Sequence, residues 1–150
     1  MRLVGIAVGL FIAALLLLAF WQHRAMQRGL PQRIVCLSPV DAFLKAGNGA
    51  IQVMGTGSMV PFIPAAPKGS VPEDTVVALA KPSSKPFKAI SKGDLVVYRA
   101  GWTKSLVIHQ AAQKHGDLWV MSGLGNAQSE WFAPVSEKEF VCVVEAVYVW

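Results

Sequence analysis

Ser58 stands in the stretch Gly55-Thr56-Gly57-Ser58-Met59-Val60-Pro61-Phe62, too irregular for a plain strand or helix. Gly55 and Gly57 permit backbone angles and close approaches that a β-carbon resists. Pro61 sets its own φ and drives Val60 toward extended backbone. A corner of this kind presents a hydroxyl and leaves backbone N–H groups free to face a substrate carbonyl. Acyl transfer asks for that combination: an exposed nucleophile beside preorganised oxyanion donors. An ordinary Gly/Ser/Pro turn has the same composition, so the reading depends on a base elsewhere in the chain.

His109 is the best base. It ends the apolar run Leu106-Val107-Ile108, where a strand would present it in a defined direction, and histidine side chains titrate near neutrality. A core histidine bonded to backbone is the structural alternative. Lys104 is the rival base. A lysine serves only where burial or a neighbour depresses its pKa, and Trp102-Thr103-Lys104-Ser105 reads as an exposed turn. His23 and His115 fall in polar segments and read as solvated. An acid would hold the imidazole tautomer; Asp94, Asp117, Glu130 and Glu137 are available, and sequence distance does not select among them. The Cys and His residues show no metal-ligand spacing, and no cofactor is implied.

The elements that must position these groups begin with Leu3 to Trp21, an uncharged apolar run long enough to span a bilayer as one helix. Arg2 precedes it and Trp21 would sit at the far interface. The following Gln22 to Arg28 offers no small-x-small cleavage site, which favours an anchor over a cleaved leader. The expected organisation is a transmembrane anchor over 1–22, a juxtamembrane connector over 23–32 and one domain over 33–150. Counted strictly, Arg24, Arg28 and Arg33 would keep that domain in the cytoplasm. The excess is small and a folded domain can be exported despite it. This count leaves the orientation open; the placement expected is a single-pass membrane protein with its domain on the extracytoplasmic side.

Hydrophobic residues make up 53% of the 150 positions and charged residues only 15%, and the lipid bilayer is the partner this composition suggests. The net charge of +5 comes with no dense basic cluster and no aromatic stripe, which excludes a nucleic-acid footprint. Cys36 and Cys142 would either close a disulfide or sit as two buried thiols.

Beyond the anchor, strand-like runs cover Arg33 to Leu37, Ile51 to Met54, Thr75 to Ala80, Leu95 to Arg99, Ser105 to Ala112, Leu118 to Met121 and Phe140 to Trp150. Asp41 to Ala46 offers one or two helical turns. Pro64 to Pro72 reads as a loop, Lys81 to Lys88 as an exposed connection and Lys114 to Asp117 as a hairpin turn. The expected fold is all-β, mainly antiparallel, as a sandwich or partly open barrel, with one N-terminal transmembrane helix.

The order of these pieces resembles a type I signal peptidase, and within that family the endoplasmic-reticulum and archaeal branch that uses histidine as base. Gly57-Ser58-Met59-Val60-Pro61 is similar to its nucleophile box. Gly93-Asp94-Leu95-Val96-Val97-Tyr98 is similar to its Gly-Asp strand, and Val107-Ile108-His109-Gln110 to its base box, where the family usually has His-Arg. The fourth box departs: Gly123-Leu124-Gly125-Asn126-Ala127-Gln128-Ser129-Glu130 keeps Gly123 and Asn126, has Leu124 for the first aspartate, and puts Glu130 where the last acid would be.

The resemblance implies a serine endopeptidase with Ser58 as nucleophile, His109 as base, Glu130 as third member and the Ser58 N–H as oxyanion donor. Met59, Pro61 and Phe62, with Ile63, would line the substrate groove or dip into the bilayer interface, core packing being the alternative for the apolar ones. The implied partners are exported or membrane-inserted precursors with small residues at the first and third positions before the cut. Oligomeric state is left open.

Three other readings use the same residues. A self-cleaving Ser-Lys repressor has a similar serine box, but carries a DNA-binding helix pair where this chain has an apolar span. A membrane-anchored peptide-binding domain on the same scaffold would explain Leu124. A peptidase dedicated to one precursor would explain the small size and the degenerate fourth box.

Overall fold

The computed structural model describes residues 11–21, 24, 29–71, 75–101, 105–126 and 133–150. Residues 11–21 form an exposed apolar helix, α1. Among the described residues no helix is long and apolar enough to cross a membrane; residues 3–10 of the apolar run lie outside them.

The rest is mainly antiparallel β-sheet. Strands β1 (Gln32–Val35), β2 (Ile51–Met54), β3 (Val76–Pro82), β4 (Leu95–Arg99), β5 (Leu106–His115), β6 (Leu118–Ser122) and β7 (Phe140–Val149) are joined in the order β2-β3-β7-β4-β5-β6, with β1 also on β7. The ten-residue β7 is shared. Its first half pairs with β4, Val143 opposite Val96, and its second half pairs with β3 and, in parallel, with β1. The β1–β7 pairing is the one parallel contact among these strands.

Leu95-Val96-Val97-Tyr98 is an unbroken apolar run because both faces of β4 are covered. Leu95 and Val97 join a cluster with Val53, Met59, Ile63, Val144 and Val147. Val96 and Tyr98 point the other way, into a cluster with Phe87, Ile90, Trp119, Met121 and Val143. Successive side chains of a strand alternate faces, so β4 is the partition between two apolar layers. A third cluster lies under the helix α2 (Pro39–Ala46), whose Ala42 and Ala46 pack on Leu79, Ala146 and Tyr148. α2 starts where its residues say it should: the Ser38 hydroxyl accepts the Asp41 N–H at 3.1 Å and Pro39 occupies the first turn.

Two expectations change at this level. Lys81 to Lys88 is not simply an exposed connection: β3 runs on to Pro82, and Phe87 is buried in the short 3₁₀ turn Phe87–Ala89. Of the two readings of the cysteines, the buried thiols hold. Cys36 sits under α2 and Cys142 in the first cluster, and neither is in a disulfide.

Candidate functional site

β2 delivers the chain into the serine corner. The Gly55 N–H donates to Thr75 O and the Gly55 carbonyl accepts from Ala66 N, both at 2.9 Å, which ties the start of the corner to β3 and to the loop beyond. Gly57 has φ +90°, a conformation that residues with a β-carbon rarely adopt. The turn that follows carries Ser58, half-buried, and closes with Ile63 N donating to Met59 O at 2.9 Å; the Val60–Pro61 peptide is cis.

β5 brings the base. Its register on β4 sets Val96 opposite His109 and Tyr98 opposite Val107, so Tyr98 and His109 are diagonal neighbours on one face, within reach of aromatic side chains. His109 is buried, and its Nε2 lies 3.0 Å from Ser58 Oγ, 51 positions away in the chain. Its Nδ1 lies 3.2 Å from the Tyr98 hydroxyl, which is fully buried. Thr56 Oγ1 stands 3.3 Å from Ser58 Oγ on the exposed side. Among the described residues the Ser58 N–H donates to no acceptor.

The fourth segment braces the corner from behind. Gly125 N donates to Ser58 O at 2.8 Å, and Asn126 N to Gly123 O at 3.1 Å. A β-carbon on Gly123 would lie 2.5 Å from the Ser58 carbonyl oxygen. Leu124 packs half-buried on the first apolar cluster.

A cleft of about 510 Å³ opens on Ser58 and His109. One wall is β2, from Ile51 to Met54; the other is β5, from Leu106 to His109; Thr56 and Asn126 also line it. Beside Ser58 a recess of only about 20 Å³ is closed by Met54, Met59, Ile63 and Ile108.

Of the expected site residues, Ser58 and His109 are brought together. Glu130 and Lys104 lie outside the described residues. Met59 is 3% exposed and belongs to the core, touching the site only through the small recess. Ile63 is likewise buried, Phe62 is half-buried against the same cluster, and Pro61 is exposed. Core packing, the alternative reading, therefore holds for Met59 and Ile63. Of the other acids weighed as orienters, Asp94 accepts from Lys85 Nζ and from the Ser91 N–H at 2.8 Å. Asp117 and Glu137 line a separate cleft of about 440 Å³ beside Trp119. His115 is exposed at the end of β5.

Tyr98 is the residue that motif reading missed. It stands in a strand whose whole composition says core, and only the β4–β5 register puts its oxygen on the imidazole. The available signal was a lone phenol within the otherwise aliphatic run Leu95-Val96-Val97-Tyr98: a buried tyrosine hydroxyl usually finds a partner.

No family model, curated protein or solved structure matches the chain.

Proposed function

We propose that this chain is a membrane-anchored serine endopeptidase that removes signal peptides from exported precursor proteins. Ser58 attacks the scissile carbonyl while His109 Nε2 takes its proton, and the same imidazole then protonates the leaving amine. The Ser58 N–H receives the oxyanion. The Leu3 to Trp21 run anchors the chain and keeps the domain at the extracytoplasmic face of the membrane. No metal or cofactor has a part in these steps.

The 3.0 Å contact between Ser58 Oγ and His109 Nε2, at the floor of an open cleft, is the observation that carries this function. The walls support the substrate class. β2 pairs with β3 on one side, and its cleft side offers strand backbone to an extended peptide, the mode of strand addition. The recess beside the nucleophile has room for little more than a methyl group, which suits alanine before the cut and turns away larger residues.

The test is cleavage of an Ala-x-Ala precursor in detergent by the full chain and by Ser58→Ala, His109→Ala and Lys104→Ala. Ser58→Ala and His109→Ala should each lower kcat by at least about a thousandfold, with Lys104→Ala close to wild type. Loss on Lys104→Ala but not on His109→Ala would make the site a Ser-Lys one. A peptide-binding domain is the second reading, favoured by Leu124 at the aspartate position. It predicts no cleavage of any precursor and peptide binding that survives Ser58→Ala.

A further inference from the structure

Four polar side chains stand in a line through the site. Thr56 Oγ1 is 3.3 Å from Ser58 Oγ, Ser58 Oγ is 3.0 Å from His109 Nε2, and His109 Nδ1 is 3.2 Å from the Tyr98 oxygen. The outer end is exposed and the inner end fully buried. Ser58 and neutral His109 each donate one proton and accept one along this line, so it runs in one of two directions. In the first, Thr56 donates to Ser58, Ser58 to Nε2, and Nδ1–H to the phenol oxygen. In the second, Tyr98 donates to Nδ1 and Nε2–H donates to Ser58, which leaves no nitrogen lone pair for the serine proton.

We infer that Tyr98 is the positioning residue of this site. Its oxygen accepts the Nδ1–H of His109 and holds the imidazole in the tautomer whose Nε2 can take the proton of Ser58. A carboxylate has this task in Ser-His-Asp triads; here a neutral hydroxyl does it. The role rests on the Ser-His peptidase function proposed above.

Placement suits the task. Tyr98 is paired on both edges, to Val107 of β5 and Phe140 of β7, and is 0% exposed within the cluster of Phe87, Ile90, Trp119 and Met121. Its ring has no room to swing, and an orienting group is useful in proportion to its rigidity. Its ring centre lies 6.3 Å from that of His109. A phenol offers the imidazolium formed during catalysis a dipole in place of a full negative charge. Removing it should therefore cost far less than the roughly 10⁴-fold lost when the triad aspartate of Ser-His-Asp proteases is replaced by asparagine.

The experiment is ¹⁵N NMR of the full-length chain in detergent, at a pH above the ordinary titration range of histidine, with His109→Ala to assign its ring nitrogens. The wild type should show Nδ1 protonated and Nε2 bare. Tyr98→Phe keeps the ring and removes only the hydroxyl, so it should shift the population toward Nε2–H, the form a free histidine side chain favours. In precursor cleavage it should lower kcat about tenfold, the value of one hydrogen bond, with KM unchanged. Nε2–H in the wild type, or a tautomer and kcat unmoved in Tyr98→Phe, would overturn the role. So would a tautomer that answers to Glu130→Gln and not to Tyr98→Phe. The tautomer is read without substrate: a chain that holds Nδ1–H through Tyr98 yet cleaves nothing would sink the peptidase and leave the positioning intact.

Discussion

Gly125 lies so close behind the serine corner that a β-carbon added to it would sit 2.7 Å from the carbonyl oxygen of Gly57. The same residue donates its N–H to Ser58 O at 2.8 Å. The corner is thus wedged between the cleft in front and the Gly123–Asn126 turn behind. Gly125 is itself exposed, so little core depends on it. Gly125→Ala should push the corner by part of an ångström and lower kcat/KM about 10- to 100-fold, since small misplacements of reacting groups are expensive. Thermal stability should drop only slightly. Precursor cleavage and a melting curve on the same preparation check both halves, and an unchanged kcat/KM would show that the corner accommodates the shift.

Ile108 borders both the main cleft and the recess beside Ser58. Ile108→Ala should widen the recess and raise cleavage of a precursor with valine before the cut, relative to alanine, by roughly tenfold, as one or two methylenes of fit allow. The half-buried site should cost about 2 kcal/mol of stability at most. The measurement is a competition between the two precursors. A ratio that stays put would remove the recess as the specificity determinant.

Glu139 closes the turn before β7. Its carboxylate accepts from the Ser136 N–H at 3.0 Å and from the Ser136 hydroxyl. The hydroxyl first, then the N–H, hold its pKa below the usual glutamate range, against burial, which acts the other way. A depressed folded-state pKa means stability that is complete above the unfolded value of about 4.3 and is lost as pH falls through the folded one. Glu139→Gln should therefore lower Tm by about 2–4 °C at neutral pH, a loss near 1 kcal/mol. The gap to wild type should close below about pH 4. A gap that persists in acid would mean that packing, not charge, holds the turn.

Cys36 and Cys142 lie in different apolar clusters as free thiols. Burial pushes the Cys142 thiol pKa up, and the thiolate is the reactive form. Alkylation of Cys142 in the folded chain at neutral pH should thus be slow and become fast on unfolding. Adding a reductant should leave Tm where it was. A fall in Tm on reduction would reveal a disulfide.

Ile51 to Met54 and Leu95 to Arg99 are legible in the sequence as strands with the bounds the structure gives them, because β-branched runs between Gly-rich turns leave few other conformations. The serine corner is legible for the same local reason: its glycines and proline act within a few residues of where they stand. Met59 and Ile63 show where local reading stops. Both stand close to Ser58 in sequence, yet the turn folds them under itself into the core, and no local signal distinguishes an apolar residue facing a groove from one facing Val144.

By itself, then, the sequence determined the strands, the corner at Ser58 and a histidine at the end of an apolar run. Each depends on backbone preferences that act over a handful of residues. Only the tertiary structure decided that Ser58 and His109 meet, that Tyr98 stands on the imidazole, that Gly125 braces the corner and that the two thiols stay apart. Those relationships depend on strand register, and a slip of one residue between β4 and β5 would turn His109 to the opposite face. Register is set by how both faces of β4 are buried at once, a property of the whole packed chain rather than of any segment of it.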